Sequence, residues 1–391
     1  MQNKLSFKAV RDVESVVGAI AGKRVLLRLD LNVPIKNDAV TDGFRIKQSL
    51  ETIEYLRKAG AKIIVVAHLE NKEHPSLDIV CEYAQQFFPA SFVKDPWSVE
   101  GAATLTSLAD GQVVVVENIR NWEGEKKNDE DFAKKLAALA DIYVNEAFSV
   151  AHRPHASIIG VPKFLPSFAG YNFEKEVANL SKAFNPPRPY LFILGGAKFE
   201  TKAPLIKKFL GIADNVFVGG ALSNDLFKAR GYEIGDSAHS SADFGFTEML
   251  ANPKLILPVD VMVQTATGAT GVSEKKVTRK ANEIQVGDKI CDDGAETVTE
   301  LLPFIKSAKF ILWNGPLGIF ETGYTEATFA LAKAIADVGV ETIVGGGDTL
   351  ASIEELKLSD KFTFISTAGG AMLDFLANET LVGIEALENS K

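Results

Sequence analysis

The stretch "TIVGGGDTL", residues 342–350, places three consecutive glycines between a β-branched run and the start of a predicted helix. Glycine costs backbone entropy and contributes no side chain to a core, so three in a row indicate that something approaches the main chain closely. The unpaired N–H groups at a helix start, together with the helix dipole, bind phosphate oxygens. We therefore predict that phosphate lies against Gly345, Gly346 and Gly347.

Asp348 follows these glycines, and its position allows two interpretations. Aspartate often caps a helix start by accepting a hydrogen bond from the backbone. A carboxylate beside bound phosphate can instead hold Mg²⁺, which takes one or two carboxylates together with phosphate oxygens. The spacing alone leaves a helix cap and a metal ligand equally open.

Glycines also follow other predicted strands in the second half of the chain. One glycine pair indicates only a tight turn. Repetition at successive strand ends favours a ligand site, because ligands of open parallel sheets bind beyond the carboxyl ends of the strands. Lys198 and Lys202 share one predicted helix face beside these glycines and are either solvated or phosphate clamps. The glycines are Gly195 and Gly196, Gly219 and Gly220, Gly315, and Gly369 and Gly370.

The familiar nucleotide-binding motifs are absent from the sequence. It contains neither G-x-x-x-x-G-K-[ST] nor a G-x-G-x-x-G that opens a first helix, and it lacks the H-R-D and D-F-G motifs of protein kinases. A phosphate site in this chain is therefore expected to be assembled from separate strand-end loops.

The first half of the chain carries a polar face at the end of a predicted buried strand. Arg28, Asp30 and Asn32 alternate in "RVLLRLDLNVP", so they share one face of that strand. Buried charge must be paired, so an ion pair between Arg28 and Asp30 is the simplest interpretation. Asp30 and Asn32 lie nearer the strand end and are placed to bind a polar ligand.

Basic side chains accumulate in the same half of the chain. Arg45 opens the helix that follows this strand, and Arg120 ends the strand "VVVVENIR". Arg153 follows a further strand and is flanked by His152 and His155. Arginines that converge at strand ends favour an acidic, phosphorylated small molecule as ligand. The net charge of −9 argues against nucleic acid as a partner.

Short apolar strands alternate with helical periodicity along the chain, which is typical of a parallel sheet with helices on both faces. The pattern breaks near 160–190 and then starts again, so we expect two α/β halves joined by one helix. A length of 391 residues also favours two domains. Three specific predictions are one helix over "FRIKQSLETIEYLRKAG", a helix beginning at Lys202, and one strand over "KLILPVDV".

Targeting and cysteine signals are weak. No apolar run approaches the roughly 18 residues of a membrane helix, and the first residues lack the apolar region of a signal peptide. Cys81 and Cys291 lie far apart and show no metal-ligand or redox spacing. We therefore expect a cytoplasmic protein with buried, reduced thiols and without a membrane partner.

A series of motifs resembles the phosphoglycerate kinase family, in family order and over nearly the whole chain. "LLRLDLNVP" resembles the family's R-x-D-x-N-V-P strand, and "TDGFRI" resembles its helix with the catalytic arginine. Each motif is weak alone, but the series is highly specific. The other motifs are "ENIR", "YVNEAFSVAHRPHAS", "ILGGAKFETK", "LPVDV", "LWNGPLGIFE", "VGGGDT" and "ISTAGGAML".

The resemblance implies an α/β fold of two Rossmann-like domains with parallel sheets, joined by a hinge helix across a cleft. It implies a triose-phosphate domain over 1–169, a hinge helix and linker over 170–186, a nucleotide domain over 187–376, and a segment over 377–391 that returns to the first domain. It also implies a monomeric enzyme that closes about the hinge. The implied reaction is reversible phosphoryl transfer between 1,3-bisphosphoglycerate and MgADP, giving 3-phosphoglycerate and MgATP.

Matching positions carry the family's site residues over to this chain, and Asp348 becomes the favoured ligand of Mg²⁺. The implied catalytic positions are Arg45, Lys198, Gly346 and Gly369. The implied triose-phosphate positions are Asp30, Asn32, Arg45, His68, Arg120 and Arg153. The implied nucleotide positions are Gly195, Gly196, Lys198, Lys202, Gly219, Gly220, Gly294, Asn314, Glu321, Gly345, Gly346, Gly347, Asp348 and Thr349.

The chain departs from the family most clearly in one loop. The family reads H-L-G-R-P where this chain reads "HLENKEHP", so Glu70 and Asn71 replace glycine and arginine. The loss of a phosphate-binding arginine, with an acidic residue beside its place, predicts weaker binding of the 3-phosphate group. Lys72 supplies a point charge without the two parallel hydrogen bonds of arginine. A smaller departure is Glu146, where the family has aspartate.

Two other functions stay open beside that of an active phosphoglycerate kinase. A non-catalytic descendant would keep the fold for nucleotide binding or protein association; the lost loop arginine supports it, and the retained Arg45, Lys198 and Asp348 oppose it. A kinase for another acyl acceptor is suggested by the altered loop between His68 and His74. An assay with 3-phosphoglycerate and MgATP distinguishes an active kinase from a non-catalytic descendant. A panel of acyl acceptors tests the second alternative.

Overall fold

The computed structural model describes residues 7–265 and 275–391. The chain forms two compact units, of which the first comprises Met1–Ala178 with Asn378–Lys391 and the second comprises Asn179–Ala377. Each unit contains a six-stranded sheet whose neighbouring strands are all parallel. The predicted α/β class, with a parallel sheet in each half, is confirmed.

The sheet of the first unit has the strand order β5-β6-β4-β1-β7-β8, and β2 and β3 form a separate antiparallel hairpin. The central strands are almost wholly buried, which is typical of a parallel sheet covered on both faces. The strands are β1 Arg24–Arg28, β2 Ile35–Lys36, β3 Ala39–Val40, β4 Lys62–Val66, β5 Ser91–Val93, β6 Val113–Val116, β7 Ile142–Asn145 and β8 Ser167–Ala169.

Two short helices replace the single helix predicted over "FRIKQSLETIEYLRKAG", so that prediction is wrong. The Ser49 N–H bonds to the carbonyl of Ile46 at 3.1 Å, a three-residue spacing that interrupts the α-helical ladder. The helices that begin in this unit are α1 Val13–Val17, α2 Phe44–Gln48, α3 Leu50–Lys58, α4 Asp78–Ala84, α5 Val99–Thr106, α6 Glu123–Lys127, α7 Glu130–Ala137 and α8 Tyr171–Ser181.

The parallel sheet of the second unit has the order β11-β10-β9-β15-β16-β17, and a second, antiparallel sheet has the order β13-β12-β14. The strands are β9 Tyr190–Leu194, β10 Asn215–Val218, β11 Leu255–Ile256, β12 Asp260–Gln264, β13 Lys276–Lys280, β14 Lys289–Asp293, β15 Phe310–Asn314, β16 Glu341–Gly345 and β17 Phe364–Ser366.

The single strand predicted over "KLILPVDV" is wrong, because the segment divides between these two sheets. β11 ends at Ile256, and β12 begins at Asp260. Pro258 lies between them and has no N–H to continue a central ladder. The antiparallel sheet was not predicted.

The helices of the second unit follow its parallel strands. The first of them begins at Phe199 and not at the predicted Lys202, which lies in its first turn. The helices are α9 Phe199–Ile212, α10 Leu222–Ala229, α11 Phe246–Ala251, α12 Ala295–Ser307, α13 Glu326–Ala336, α14 Gly347–Glu355 and α15 Gly370–Asn378.

The last helix, α16 Val382–Glu388, packs within the first unit. Its Gly383 N–H donates to the carbonyl of Ala151 at 2.8 Å, and a Cβ on Gly383 would lie 2.9 Å from that oxygen. Across the described parts of the chain, every helix is too short or too polar to pass through a bilayer.

A buried carboxyl group joins three elements of the first unit. Glu146 follows β7 and is 1% exposed, and its Oε1 accepts hydrogen bonds from Thr52 Oγ1 at 2.9 Å and from the Asn172 N–H at 3.1 Å. Burial raises the pKa of Glu146 to about 8, and these hydrogen bonds only partly oppose the rise. The side chain is therefore protonated at neutral pH.

This raised pKa predicts a specific loss of stability as the pH rises from about 4.5 to about 8. Above pH 4.5 the unfolded chain releases the Glu146 proton, while the folded chain retains it up to about pH 8. The free energy of unfolding should therefore fall between these values by up to about 1.4 kcal/mol per pH unit. Glu146→Gln should remove this contribution. Urea unfolding of both proteins at pH 5.5, 6.5 and 7.5 measures the difference, and parallel pH profiles would contradict the prediction.

Candidate active site

The second unit contains a cavity of about 400 Å³ beside the carboxyl ends of its parallel strands. Loops that follow these strands and the helix starts beyond them form its walls, as expected for a ligand site in an open parallel sheet. The predicted residues that line the cavity are Gly196, Lys198, Lys202, Gly220, Asn314, Gly315, Glu321, Gly346, Gly347, Asp348 and Gly369.

The start of α14 presents unpaired backbone N–H groups to this cavity. The helix begins at Gly347, and the cap position is Gly346, whose φ of +105° favours glycine. The first N–H groups of a helix have no partner within it, so those of the first turn are free for an anion. The interpretation of Asp348 as the helix cap is wrong, because Asp348 lies inside the first turn.

Charged side chains surround this helix start. Partial burial and the carboxylate of Glu321 raise the pKa of Asp348, and Lys202 acts in the opposite direction. Burial lowers the pKa of Lys202, whose Nζ donates to the Gly195 carbonyl at 3.0 Å. Lys198 occupies the cap position of α9 and is exposed. The cavity therefore offers two ammonium groups for an anion and the carboxylates of Asp348 and Glu321 for a cation.

Not every predicted glycine faces the cavity. A Cβ on Gly195 would lie 2.2 Å from the carbonyl oxygen of Pro316, and a Cβ on Gly219 would lie 2.3 Å from Oδ2 of Asp293. These glycines let segments of the protein approach each other, whereas a Cβ on Gly347 would meet nothing within 4 Å. The predicted nucleotide residues outside the cavity lining are Gly195, Gly219, Gly294, Gly345 and Thr349.

Residues absent from the sequence-based prediction form an apolar wall of the cavity. The loop Pro316–Ile319 follows β15, and Leu373 lies in α15. The motif "LWNGPLGIFE", in which glycine follows a strand, indicated the loop Pro316–Ile319 in the sequence. Ile290, Cys291 and Asp292 had no such signal, because they belong to the unpredicted antiparallel sheet.

The first unit gathers its predicted residues at the carboxyl edge of its own sheet. Asp30 lies two residues beyond β1, and Arg45 of α2 forms an ion pair with it. Ser149 Oγ donates to Asp30 Oδ2 at 2.5 Å. Because β1, β4, β6 and β7 are neighbouring parallel strands, their carboxyl ends bring His68, Arg120 and Arg153 to the same edge.

Arg28 does not pair with Asp30, so the predicted ion pair is wrong. Its guanidinium is fully buried and donates to Ser157 Oγ at 3.0 Å, to the Leu29 carbonyl and to His68 Nδ1 at 3.2 Å. A guanidinium can only donate, so Nδ1 is the acceptor and the proton of neutral His68 resides on Nε2. Burial and then the surrounding arginines hold the pKa of His68 far below its ordinary value.

Glu70, the residue that replaces the family's glycine, contacts two of the predicted arginines. Its Oε1 forms an ion pair with Arg120 Nη1 and lies 3.1 Å from Arg153 Nη1. Its N–H donates to Asn32 Oδ1 at 2.8 Å. The Arg120 side chain is 6% exposed, and its Nε and Nη2 are buried without a hydrogen-bond partner. Such unsatisfied buried donors indicate a site for an anion.

The second unit combines helix starts, lysines and carboxylates in one cavity, and the first unit holds an arginine cluster. These features define a phosphotransferase that acts on a small acidic molecule. The family model described as phosphoglycerate kinase matches residues 13–379. The chain belongs to the phosphoglycerate kinase family. It is a kinase of glycolysis whose phosphoryl acceptor is a carboxyl group.

Individual relatives support this assignment. The phosphoglycerate kinase of Caulobacter vibrioides is 38% identical over 389 residues, which cover 95% of this chain and 98% of that protein. The phosphoglycerate kinase of Roseiflexus castenholzii is 39% identical over 400 residues, which cover 98% and 99%. The solved structure of phosphoglycerate kinase from Coxiella burnetii has a TM-score of 0.83 and 33% identity, covering 98% of this chain and all of that one.

Two glycine substitutions separate structural from ligand-binding roles in the cavity. Gly347→Ala should leave the free energy of unfolding within about 0.5 kcal/mol, because the new Cβ enters open space, and should weaken MgADP binding about tenfold or more. Gly195→Ala should lower the free energy of unfolding by about 1–3 kcal/mol, because its Cβ meets backbone oxygens. Urea unfolding measures the stability of both variants, and calorimetry measures their binding of MgADP. A destabilised Gly347→Ala variant together with a stable Gly195→Ala variant would contradict this division.

Proposed function

We propose that the chain catalyses reversible phosphoryl transfer between 1,3-bisphosphoglycerate and MgADP, giving 3-phosphoglycerate and MgATP, with the site residues in the roles below. The observation that carries the proposal is the pair of complementary anion sites. The second unit offers free N–H groups at α14 beside Lys198 and Lys202. The first unit offers Arg120 and Arg153 beside neutral His68.

In this proposal the nucleotide occupies the cavity of the second unit. Its phosphates accept hydrogen bonds from the first turn of α14 and interact with the positive charges of Lys198 and Lys202. The apolar wall that includes Leu317 binds the base. Lys198 and the backbone at Gly346 and Gly369 stabilise the transferred phosphoryl group. Gly219, Gly294 and the other predicted residues behind the cavity wall shape these loops.

The residues present fit a magnesium ion that enters with the nucleotide. Asp348 is a half-buried carboxylate whose pKa is raised by burial and by Glu321, so a cation would stabilise its ionised form. Over residues 7–265 and 275–391, no three histidine, cysteine or carboxylate side chains converge as a complete metal cage. One carboxylate with phosphate oxygens and water is the ligand set that Mg²⁺ prefers. Held by Asp348, such an ion would supply positive charge against the phosphate oxygens.

The acceptor occupies the basic cluster of the first unit. Arg120 and Arg153 bind its phosphate, while His68 Nε2 and Asn32 supply polar contacts. The nucleophile is the acceptor's carboxylate, which is ionised at neutral pH because its pKa is roughly 4. No general base is required, so catalysis reduces to alignment and charge stabilisation. Asp30 orients Arg45, which supplies positive charge to the phosphoryl group.

We also infer that the enzyme is a cytoplasmic monomer. Both sets of side chains come from one chain, and the phosphorylated substrates are soluble ions that cross membranes poorly. The acidic net charge of −9 is consistent with a protein that binds neither nucleic acid nor an anionic membrane surface.

A coupled assay with 3-phosphoglycerate and MgATP tests the proposed reaction. We expect turnover that disappears with excess EDTA and returns with Mg²⁺, because the ion is required to neutralise the phosphates. A panel that includes acetate and glycerate tests the choice of acceptor. If another carboxylate is turned over faster, that compound and not 3-phosphoglycerate is the preferred acceptor. Inactivity of the folded enzyme towards every acceptor would support a non-catalytic role.

Arg45→Ala should lower kcat by on the order of 100-fold. The reason is that the charge of Arg45 acts on the transferring phosphoryl group. The KM for MgATP should change little, because the nucleotide contacts lie in the second unit. Arg24→Ala is the matched control, since Arg24 forms an exposed ion pair with Asp141 at 3.1 Å. Steady-state kinetics measure both variants, and near-normal kcat in Arg45→Ala would remove Arg45 from this role.

A further inference from the structure

We propose that Glu70 is a built-in competitor for the acceptor's phosphate, so that the phosphate binds between Arg120 and Arg153 only by displacing the Glu70 carboxylate. The inference rests on the proposed function for the identity of the acceptor. It makes Glu70 a specificity-determining residue, because an anion binds this cluster only if it interacts with the two arginines more strongly than one carboxylate does.

The contacts of Glu70 are those of an anion held in a binding site. A single oxygen, Oε1, contacts both Arg120 Nη1 and Arg153 Nη1. Partial burial alone would raise the pKa of Glu70, but the hydrogen bonds and charges of the two arginines outweigh it and lower the pKa. Glu70 is therefore ionised at neutral pH and remains a competing anion under the conditions in which the enzyme works.

The carboxylate leaves part of the arginine cluster unsatisfied. Arg120 Nε and Nη2 are buried without a hydrogen-bond partner even when Glu70 is in place. A carboxylate offers two oxygens, whereas a phosphate monoester offers three and a higher negative charge at neutral pH. A phosphate can therefore satisfy donors that Glu70 does not reach, which gives it the advantage needed for displacement.

The structure allows Glu70 to move without disturbing the loop backbone. Its side chain is 52% exposed, whereas its N–H is anchored to Asn32 Oδ1 at 2.8 Å. Rotation of an exposed, flexible side chain is sufficient to open the space between the arginines. Exposed side chains change rotamer within nanoseconds, so displacement need not limit turnover.

The charges around Glu70 determine which anions can displace its carboxylate from the two arginines. Arg45 is paired with Asp30, and Glu70 is shared by Arg120 and Arg153, so these three guanidinium groups have two carboxylate partners. His68 is neutral, and burial together with the arginines lowers the pKa of the neighbouring His155 to about 4. Weakly held monoanions therefore gain little from entering, whereas a dianion replaces Glu70 with a net gain of charge interaction.

Binding affinity in the absence of nucleotide tests the inference. Glu70→Gln keeps the side-chain length and removes the charge, and Glu70→Gly restores the residue of the family. If Glu70 occupies the cluster about nine-tenths of the time, removing its charge raises the apparent affinity about tenfold. We expect calorimetry to show this gain for 3-phosphoglycerate and for inorganic phosphate, with MgADP affinity unchanged. Glu73→Gln, an exposed charge change in the same loop, is the control and should leave all three affinities unchanged.

Unchanged or weaker binding of both probes in the two Glu70 variants would overturn the inference and make Glu70 a residue that positions the arginines. Because the variants remove the charge in different ways, misfolding of one leaves the other as a test. The titrations need no turnover. Tighter phosphate binding by the variants supports the role of Glu70 even if the coupled assay rejects 3-phosphoglycerate as acceptor.

Discussion

The proposed nucleotide binding depends on hydrogen-bond donors that the fold leaves without partners at the carboxyl edge of a parallel sheet. A helix cannot satisfy the N–H groups of its own first turn, and the parallel order of β9, β15 and β16 brings such starts to one edge. The start of α14 lies there beside Lys198 and Lys202. A polyphosphate supplies the oxygens and the negative charge that these groups lack.

The first unit differs from the second in its binding groups, which are charged side chains instead of backbone dipoles. Guanidinium groups near a sheet edge are costly to leave unpaired, and this chain supplies carboxylates as internal partners. Asp30 pairs with Arg45, and Glu70 pairs with Arg120 and Arg153. In the proposed mechanism, the first pairing orients Arg45 towards the transferred phosphoryl group. The second, at a position where the family has glycine, sets a threshold that an incoming anion must exceed.

The sequence predicted the α/β class and many cavity residues, because strand-end glycines reflect a local backbone requirement that is visible in the sequence. It did not separate Gly347, which faces open space, from Gly195, which faces the Pro316 carbonyl, since that difference depends on which loops meet in three dimensions. Arg28 was assigned the wrong partner for the same reason. Its partners Ser157 and His68 are distant in sequence. The antiparallel sheet escaped prediction because β13 (KVTRK) and β14 (KICDD) lack the apolar runs of the predicted strands, and their pairing with β12 is visible only in three dimensions.

Isothermal titration calorimetry of the folded, full-length chain with MgADP tests the central claim most directly, because it measures nucleotide binding by these helix starts without requiring turnover. The account predicts saturable binding of one nucleotide per chain that weakens in Gly347→Ala. Absence of MgADP binding by well-folded protein would contradict it, however closely the chain matches its family.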